Sequence, residues 1–382
     1  MITRSGIAVA AMAVFFGVAG VALGYPELVV VAAAATLALL VAGAWLLVTP
    51  DVTISREIHP ARVVEGEPAF AQLTVTNVSG RRCPPAQAQE RVAGLSVGVA
   101  LPALAAGGTA QRTYPIPTPR RGVFEIGPLV IAHSDPLRLV YVGRALPQRS
   151  TLRVRPRVHA IPPLPTGGSP DLEGPTSDAA PRGGVAFHSL RDYVRGDDPR
   201  LIHWPSTAKT RKKMVRHNVI PNDPTMLVVL DTSAKPYTGD DFEHAVRVAA
   251  SLVVSGHTHG FPVTLRTTGG ERVAAGQGSG TAGATDAALD LLAAVTPSDR
   301  DPGIAGLTGL APGQPGVALG IVTGQPAAAQ LATVTTVRPR FAMISLVLVG
   351  EPRGRPAVSG ALVVSARTSE AFAAAWASKA AR

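Results

Sequence analysis

Residues 225–235 read Thr-Met-Leu-Val-Val-Leu-Asp-Thr-Ser-Ala-Lys, and this stretch decides the fold of the C-terminal half. Met226 to Leu230 is an unbroken apolar run closed by an acid, Asp231. A half-exposed strand alternates polar and apolar residues; a continuous apolar run marks a parallel strand covered on both faces. The downstream pattern agrees. Residues 240–255 carry Phe242, Ala245, Val246, Ala249 and Leu252 along one helical face. Residues 261–266, 317–323, 341–349 and 361–365 read as strands, and 285–295 (capped near Asp286) and 369–381 as helices. Strands alternating with helices predict an α/β Rossmann-like domain over residues 223–382. Such sheets gather their chemistry at the carboxyl ends of the strands, so Asp231 and Ser233 mark where a site belongs.

Other candidates in this half carry less. His257 and His259 sit two apart with no neighbouring carboxylate, a weak ligand pattern. Asp299, Arg300 and Asp301 read as a solvated loop. The glycines at 269–270 and 276–283 are turns, because no Gly-Lys-Ser/Thr follows them. No nucleophile and base pair is evident, so the sequence predicts no enzyme and no catalytic residue.

Upstream, residues 183–217 form a charged and aromatic island in a chain with only 4% aromatics. It follows linker composition over residues 161–181. Phe187, Leu190, Tyr193 and Val194 fall at roughly helical spacing, which predicts a short helix or turn. Gly196-Asp197-Asp198-Pro199 stops it, and Leu201, Ile202 and Trp204 supply an apolar anchor. Two roles compete for this island. Either Trp204 and Tyr193 pack it against the following sheet, with Asp197 paired to Arg191 or Arg200, or it is a docking surface of Arg and aromatic anchors.

Residues 51–160 change to short alternating runs such as 52–55, 70–77, 95–99, 122–126, 139–142 and 151–155, separated by Gly and Pro clusters. That spacing predicts an all-β immunoglobulin-like sandwich. Pro115, Pro117 and Pro119 belong at edges and corners, and Ser134-Asp135-Pro136-Leu137 reads as a turn. Residues 1–50 contain two uncharged runs, 7–23 and 28–48, joined by Gly24-Tyr25-Pro26-Glu27. The second is long enough to cross a ~30 Å hydrocarbon core, and the pair predicts a transmembrane α-helical hairpin. A secretory signal peptide is the competing reading of the first run. Arg4 precedes the hairpin and Arg56 and Arg62 follow it, so the positive-inside rule places the bulk of the chain in the cytoplasm. The net charge of +10 suits an anionic partner. The basic run Lys209 to Arg216 points to a lipid bilayer or a protein in preference to nucleic acid. A single cysteine, Cys83, excludes an internal disulfide.

The skeleton Leu190-Arg191-x-Tyr193-x-x-Gly196-Asp197-x-x-Arg200-x-Ile202-His203-Trp204 resembles the signature of the domain-of-unknown-function 58 family. Ala186, Asp192 and Lys209 depart from its usual residues. The resemblance implies a hairpin at 1–50, a sandwich at 51–160, a linker and signature at 161–222 and a von Willebrand factor A-like domain at 223–382. It also implies a partner, a MoxR-type AAA+ ATPase, served by a membrane-anchored non-enzymatic adaptor that helps assemble or remodel protein complexes. Such domains bind Mg²⁺ through Asp-x-Ser-x-Ser. Here Asp231 and Ser233 stand, but Lys235 replaces the second Ser and Thr323 stands where an acid is expected, so no cofactor is expected. The rival reading is a metal-dependent ligand-binding or adhesion protein of the cell envelope.

Overall fold

The computed structural model describes residues 2–45, 51–92, 95–166, 186–194, 202–219, 225–274, 281–309, 317–351, 354 and 358–380. They fall into two compact units, Met1–Arg155 and Pro156–Arg382.

The first unit opens with two 20-residue helices, α1 (Arg4–Leu23) and α2 (Pro26–Trp45), both long and apolar enough to cross a membrane. Thr3 caps α1 by accepting a hydrogen bond from the Gly6 N–H at 3.1 Å. Gly24, at φ 73°, ends it in the left-handed conformation that glycine adopts without cost. Pro26 then opens α2, where its missing N–H is no loss. The helices meet through small residues. A Cβ on Gly17 would lie 3.6 Å from the Ala32 Cβ, and one on Gly20 would meet the Val29 nitrogen at 2.9 Å. In lipid, helix pairing rests on such close approach. A Gly17→Cys/Ala32→Cys pair in a Cys83→Ala background is therefore expected to oxidise readily in membranes, as that spacing suits a disulfide. Adding Gly20→Ile is expected to lower the yield at least severalfold, read by labelling of the unreacted thiols.

Two sheets follow. One has the order β1-β3-β6 (Val52–His59, Ala69–Asn77, Thr109–Ile116) and is antiparallel. The other runs β2-β9-β7-β4-β5 (Arg62–Val64, Ser150–Arg155, Gly122–Ser134, Ala86–Val92, Leu95–Leu101), with β8 (Tyr141–Leu146) also paired to β7. In β3 the residues Ala69, Ala71, Leu73 and Val75 are buried while Phe70 is exposed, as period-two alternation requires. They share one core with Ala88, Ile126 and Leu152 of the second sheet. Pro115 lies in β6, an edge strand, where a missing N–H is tolerated. The strands β2, β4 and β6 were not evident from the pattern; Ala86-Gln87-Ala88-Gln89 is too polar to read as a strand.

The second unit holds a six-stranded sheet of order β14-β13-β12-β15-β16-β17. Its parallel strands are β12 (Thr225–Leu230), β13 (Val263–Thr267), β15 (Val317–Thr323), β16 (Met343–Val349) and β17 (Ala361–Ala366), and β14 (Arg272–Ala274) is an antiparallel edge. The helices are α4 (Asp241–Thr258), α5 (Thr281–Ala294), α6 (Ala328–Val337) and α7 (Ser369–Ala380). Asp286 lies inside α5 and so does not cap it. The face of α4 expected from its spacing, Phe242, Ala245, Val246, Ala249 and Leu252, is buried. Ile161 and Leu164, read by composition as linker, are buried in this core. Ser255 donates to the Ile161 carbonyl at 2.6 Å and the Trp376 indole to that of Pro162 at 2.9 Å. Linker composition there hides a strap across the sheet.

A separate antiparallel pair precedes the sheet: β10 (Ala186–Asp192) and β11 (Met214–Val219), with the short helix α3 (Trp204–Thr210) between them. The helical spacing of Phe187, Leu190 and Val194 misled, because pairing of β10 with β11 overrides a weak local period.

Candidate functional site

Asp231 follows β12 at the carboxyl edge of the sheet and is fully buried. Its Oδ1 accepts from the Ser233 N–H at 3.0 Å and the Ser233 hydroxyl at 2.7 Å. Its Oδ2 accepts from the Thr323 hydroxyl at 2.7 Å. Thr323 arrives there because β15 lies beside β12 in parallel register, Leu230 opposite Val322. Tyr237 donates to the Asp231 carbonyl at 2.6 Å. Burial pushes the Asp231 carboxyl above the usual carboxylate range, against the opposing hydrogen bonds from Ser233 and Thr323; the charge of Asp301 adds to the rise. Burial, then the Asp231 charge, likewise holds the Tyr237 phenol well above its ordinary value.

A second carboxylate joins this edge. Asp301 Oδ2 accepts from the hydroxyls of Thr232 and Thr268, the latter at 2.7 Å, and its Oδ1 from the Gly303 N–H at 2.8 Å. Thr268 Oγ1 also accepts from the Thr232 N–H at 2.8 Å and lies 3.4 Å from Asp231 Oδ1. Asp301 thus belongs to a built network and not to a solvated loop. No spacing signal ties it to Asp231; only the packing of the turn that begins at Gly303 brings it in. Gly303 itself, at φ 64°, closes the cluster: a Cβ there would lie 2.6 Å from Ser233 Oγ and 3.1 Å from Asp231 Oδ1. Lys235 is exposed, and the oxygens of Asp231 accept from Ser233 and Thr323.

The signature residues are placed as follows. Arg191 pairs with Val215 in the β10–β11 ladder. Tyr193 is half-buried, with the Lys213 ammonium 5.6 Å from its ring centre, a cation–π distance. Ile202 bridges to Val215. Trp204 begins α3 and is 65% exposed, so it does not pack against the sheet. Lys209, Arg211, Lys212 and Lys213, at and after the end of α3, are exposed. Gly196, Asp197 and Arg200 lie outside the described residues, as do the expected pairings of Asp197. His257 hydrogen-bonds Thr285 through Nδ1 at 2.7 Å, while His259 Nδ1 lies 2.8 Å from the Ser255 carbonyl, so the two rings serve separate local contacts. Among the described residues, no group of three or more His, Cys, Asp or Glu is placed to hold a metal ion.

No curated protein matches the chain. Among solved structures, the CARDB domain of the PF1109 protein from Pyrococcus furiosus, in complex with di-metal ions, is 17% identical over 28% of this chain and 88% of its own, with a TM-score of 0.22. The alkylpurine DNA glycosylase AlkC of Pseudomonas fluorescens, bound to DNA containing an abasic site analog, is 17% identical over 31% of this chain and 38% of its own, with a TM-score of 0.19. The segment that carries the signature, α3, the Asp231 edge and Asp301 is the part a family shares: residues 189–310 match the family described as "Protein of unknown function DUF58".

Proposed function

We propose that this chain is a membrane-anchored, non-enzymatic adaptor. The hairpin holds it in the bilayer, an immunoglobulin-like sandwich and a von Willebrand A-like domain lie in the cytoplasm, and the signature face docks a MoxR-type AAA+ ATPase. The observation that carries this reading is Trp204, 65% exposed on α3 with Lys209, Arg211 and Lys212 exposed nearby. A large exposed aromatic on a segment with exposed Lys and Arg matches the residue types that dominate binding energy at protein interfaces. An ATPase face rich in acids complements it. The test is equilibrium binding of a purified MoxR-type ATPase to the full chain in detergent. Trp204→Ala is expected to weaken binding at least about tenfold, since a central aromatic is worth 2 kcal/mol or more. An unchanged affinity with intact folding contradicts the docking role.

The metal-dependent alternative draws on the convergence of Asp231, Ser233, Thr268 and Asp301 at one sheet edge. We read that cluster as a structural lock that does not fit Mg²⁺. A hard cation needs oxygen lone pairs and bound waters in an octahedron. Here each Asp231 oxygen already accepts from a hydroxyl, Ser233 on Oδ1 and Thr323 on Oδ2, and the Gly303 backbone lies close against Oδ1, which narrows the room for an ion and its waters.

A further inference from the structure

The connection from β7 to β8 is a rigid turn fastened to the start of α1. Asp135 is buried, with Oδ2 accepting from the Leu137 N–H at 2.9 Å and Oδ1 from the Val140 N–H at 2.7 Å. The turn's tip, Pro136-Leu137-Arg138, is exposed, Leu137 by 64%. Thr3 bonds the same turn twice, its N–H donating to the Leu139 carbonyl at 3.0 Å and its hydroxyl to that of Arg138 at 2.7 Å. Gly6 is so close that a Cβ would fall 2.2 Å from the Leu139 oxygen. On the side facing α2, Pro136 and Leu137 form one wall of an apolar cleft of about 430 Å³, and Leu37, Val41 and Trp45 form the other. Arg138, with Thr3, Gln87 and Tyr141, lines a second cleft, of about 370 Å³ and mixed polarity.

We propose that this turn is a membrane-interface wedge, with Leu137 among lipid chains, a phospholipid acyl chain in the cleft beside α2 and Arg138 at the level of the phosphates. The inference rests on the reading of α1 and α2 as a membrane hairpin. The occupant follows from continuity. One wall of the cleft is the outer surface of α2, so the medium that covers Leu37 and Val41 also fills the space against Leu137. Leu37 precedes Trp45 by two helical turns, roughly 12 Å along the axis, so the cleft reaches well below the helix end. The level of the cation follows from the register. The Arg138 carbonyl is bonded by Thr3, next to Arg4, the charge that bounds the apolar span. Arg at that depth turns its guanidinium toward anionic headgroups while its stem stays in the apolar layer. Because Asp135 locks the turn from within, the exposure of Leu137 is built in and is not the slack of a loose loop.

The test places a nitroxide on the full chain in a Cys83→Ala background, at Leu137→Cys, Val41→Cys or Leu95→Cys, in phosphatidylcholine–phosphatidylglycerol vesicles. Relaxation by dissolved oxygen and by a water-soluble nickel chelate reads depth. Leu95 starts β5 and is 60% exposed, at the opposite end of that strand from Leu101, which lines the cleft beside Arg138. The expected result is that labels at 137 and 41 favour oxygen severalfold over nickel while the label at 95 favours nickel. A label at 137 that behaves as the one at 95, with 41 still in lipid, overturns the wedge and leaves the hairpin standing. Nickel access at 41 as well as at 137 overturns the hairpin reading and the wedge with it.

Discussion

Replacing Asp231 with Ala is expected to destabilise the second unit by about 4 kcal/mol, read as a fall in its thermal midpoint in detergent. The Ser233 N–H, the Ser233 hydroxyl and the Thr323 hydroxyl all donate to this carboxylate inside the protein. Removing it strands buried donors, each costing about 1–3 kcal/mol. Asp231→Asn keeps Oδ1 and turns an amide toward Thr323, whose hydroxyl rotates to accept, so a loss of only about 1 kcal/mol is expected. The same pair separates a lock from a metal site. Millimolar Mg²⁺ or a chelator is expected to leave the wild-type midpoint unchanged. An ion present at a hundredfold its Kd stabilises by about 2.7 kcal/mol, so a midpoint raised by Mg²⁺ in wild type and not in Asp231→Asn contradicts the lock.

The second large effect belongs to the two β-sheets of the first unit. Arg56 of β1 and Glu90 of β4 form an ion pair between the two sheets, with side chains 3% and 0% exposed. Arg56 also bonds Ser150 Oγ, at 3.0 and 3.2 Å, and the Gln148 carbonyl at 3.2 Å. Glu90 Oε2 is buried with no hydrogen-bond partner among the described residues. At pH 8, above the raised Glu90 value, both groups are charged, so Arg56→Ala leaves a buried carboxylate alone and is expected to cost about 3–5 kcal/mol. Replacing both, as Arg56→Met with Glu90→Leu, is expected to be near neutral, because two desolvated charges vanish together.

Burial pushes the Glu90 carboxyl from its ordinary 4.5 up to about 7. Below 4.5 folded and unfolded chains both hold this proton, and between 4.5 and about 7 only the folded chain does. Its contribution to stability is therefore full in acid and lost as pH rises through that window, by about 3 kcal/mol at about 1.4 kcal/mol per pKa unit. Hydrogen-exchange protection of β4 and β7 amides is the readout. Protection that does not fall across this window, or that falls equally in Glu90→Gln, contradicts the assignment.

What could be read in advance followed from strength of pattern. The run at Met226–Leu230 and the spacing of Phe242, Ala245, Val246, Ala249 and Leu252 are strong periodic signals, and the sheet and α4 appear where they place them. The Asp-Pro turn at 135–136 was legible because an Asx side chain bonds its own backbone two residues on, as Asp135 does to Leu137. The Arg56–Glu90 pair and the Asp231–Asp301 network were not legible. Each joins residues distant in sequence through tertiary packing, which leaves no local spacing to detect. Ile161 and Leu164 were hidden for the opposite reason: Pro and Gly around them mimic a linker, while the backbone they shape lies over α4 and β15. At the signature, local period suggested helix and strand pairing decided otherwise, and Trp204, expected on one reading to pack against the sheet, is exposed.

A cytoplasmic ATPase can meet this chain only if the α/β unit lies on the side of the membrane that holds ATP. A reporter fused after Arg382 in the full chain tests that condition directly. The account predicts fluorescence from a cytoplasm-dependent green fluorescent protein fusion and no activity from an alkaline phosphatase fusion. Alkaline phosphatase activity at that position, with no fluorescence, would contradict it.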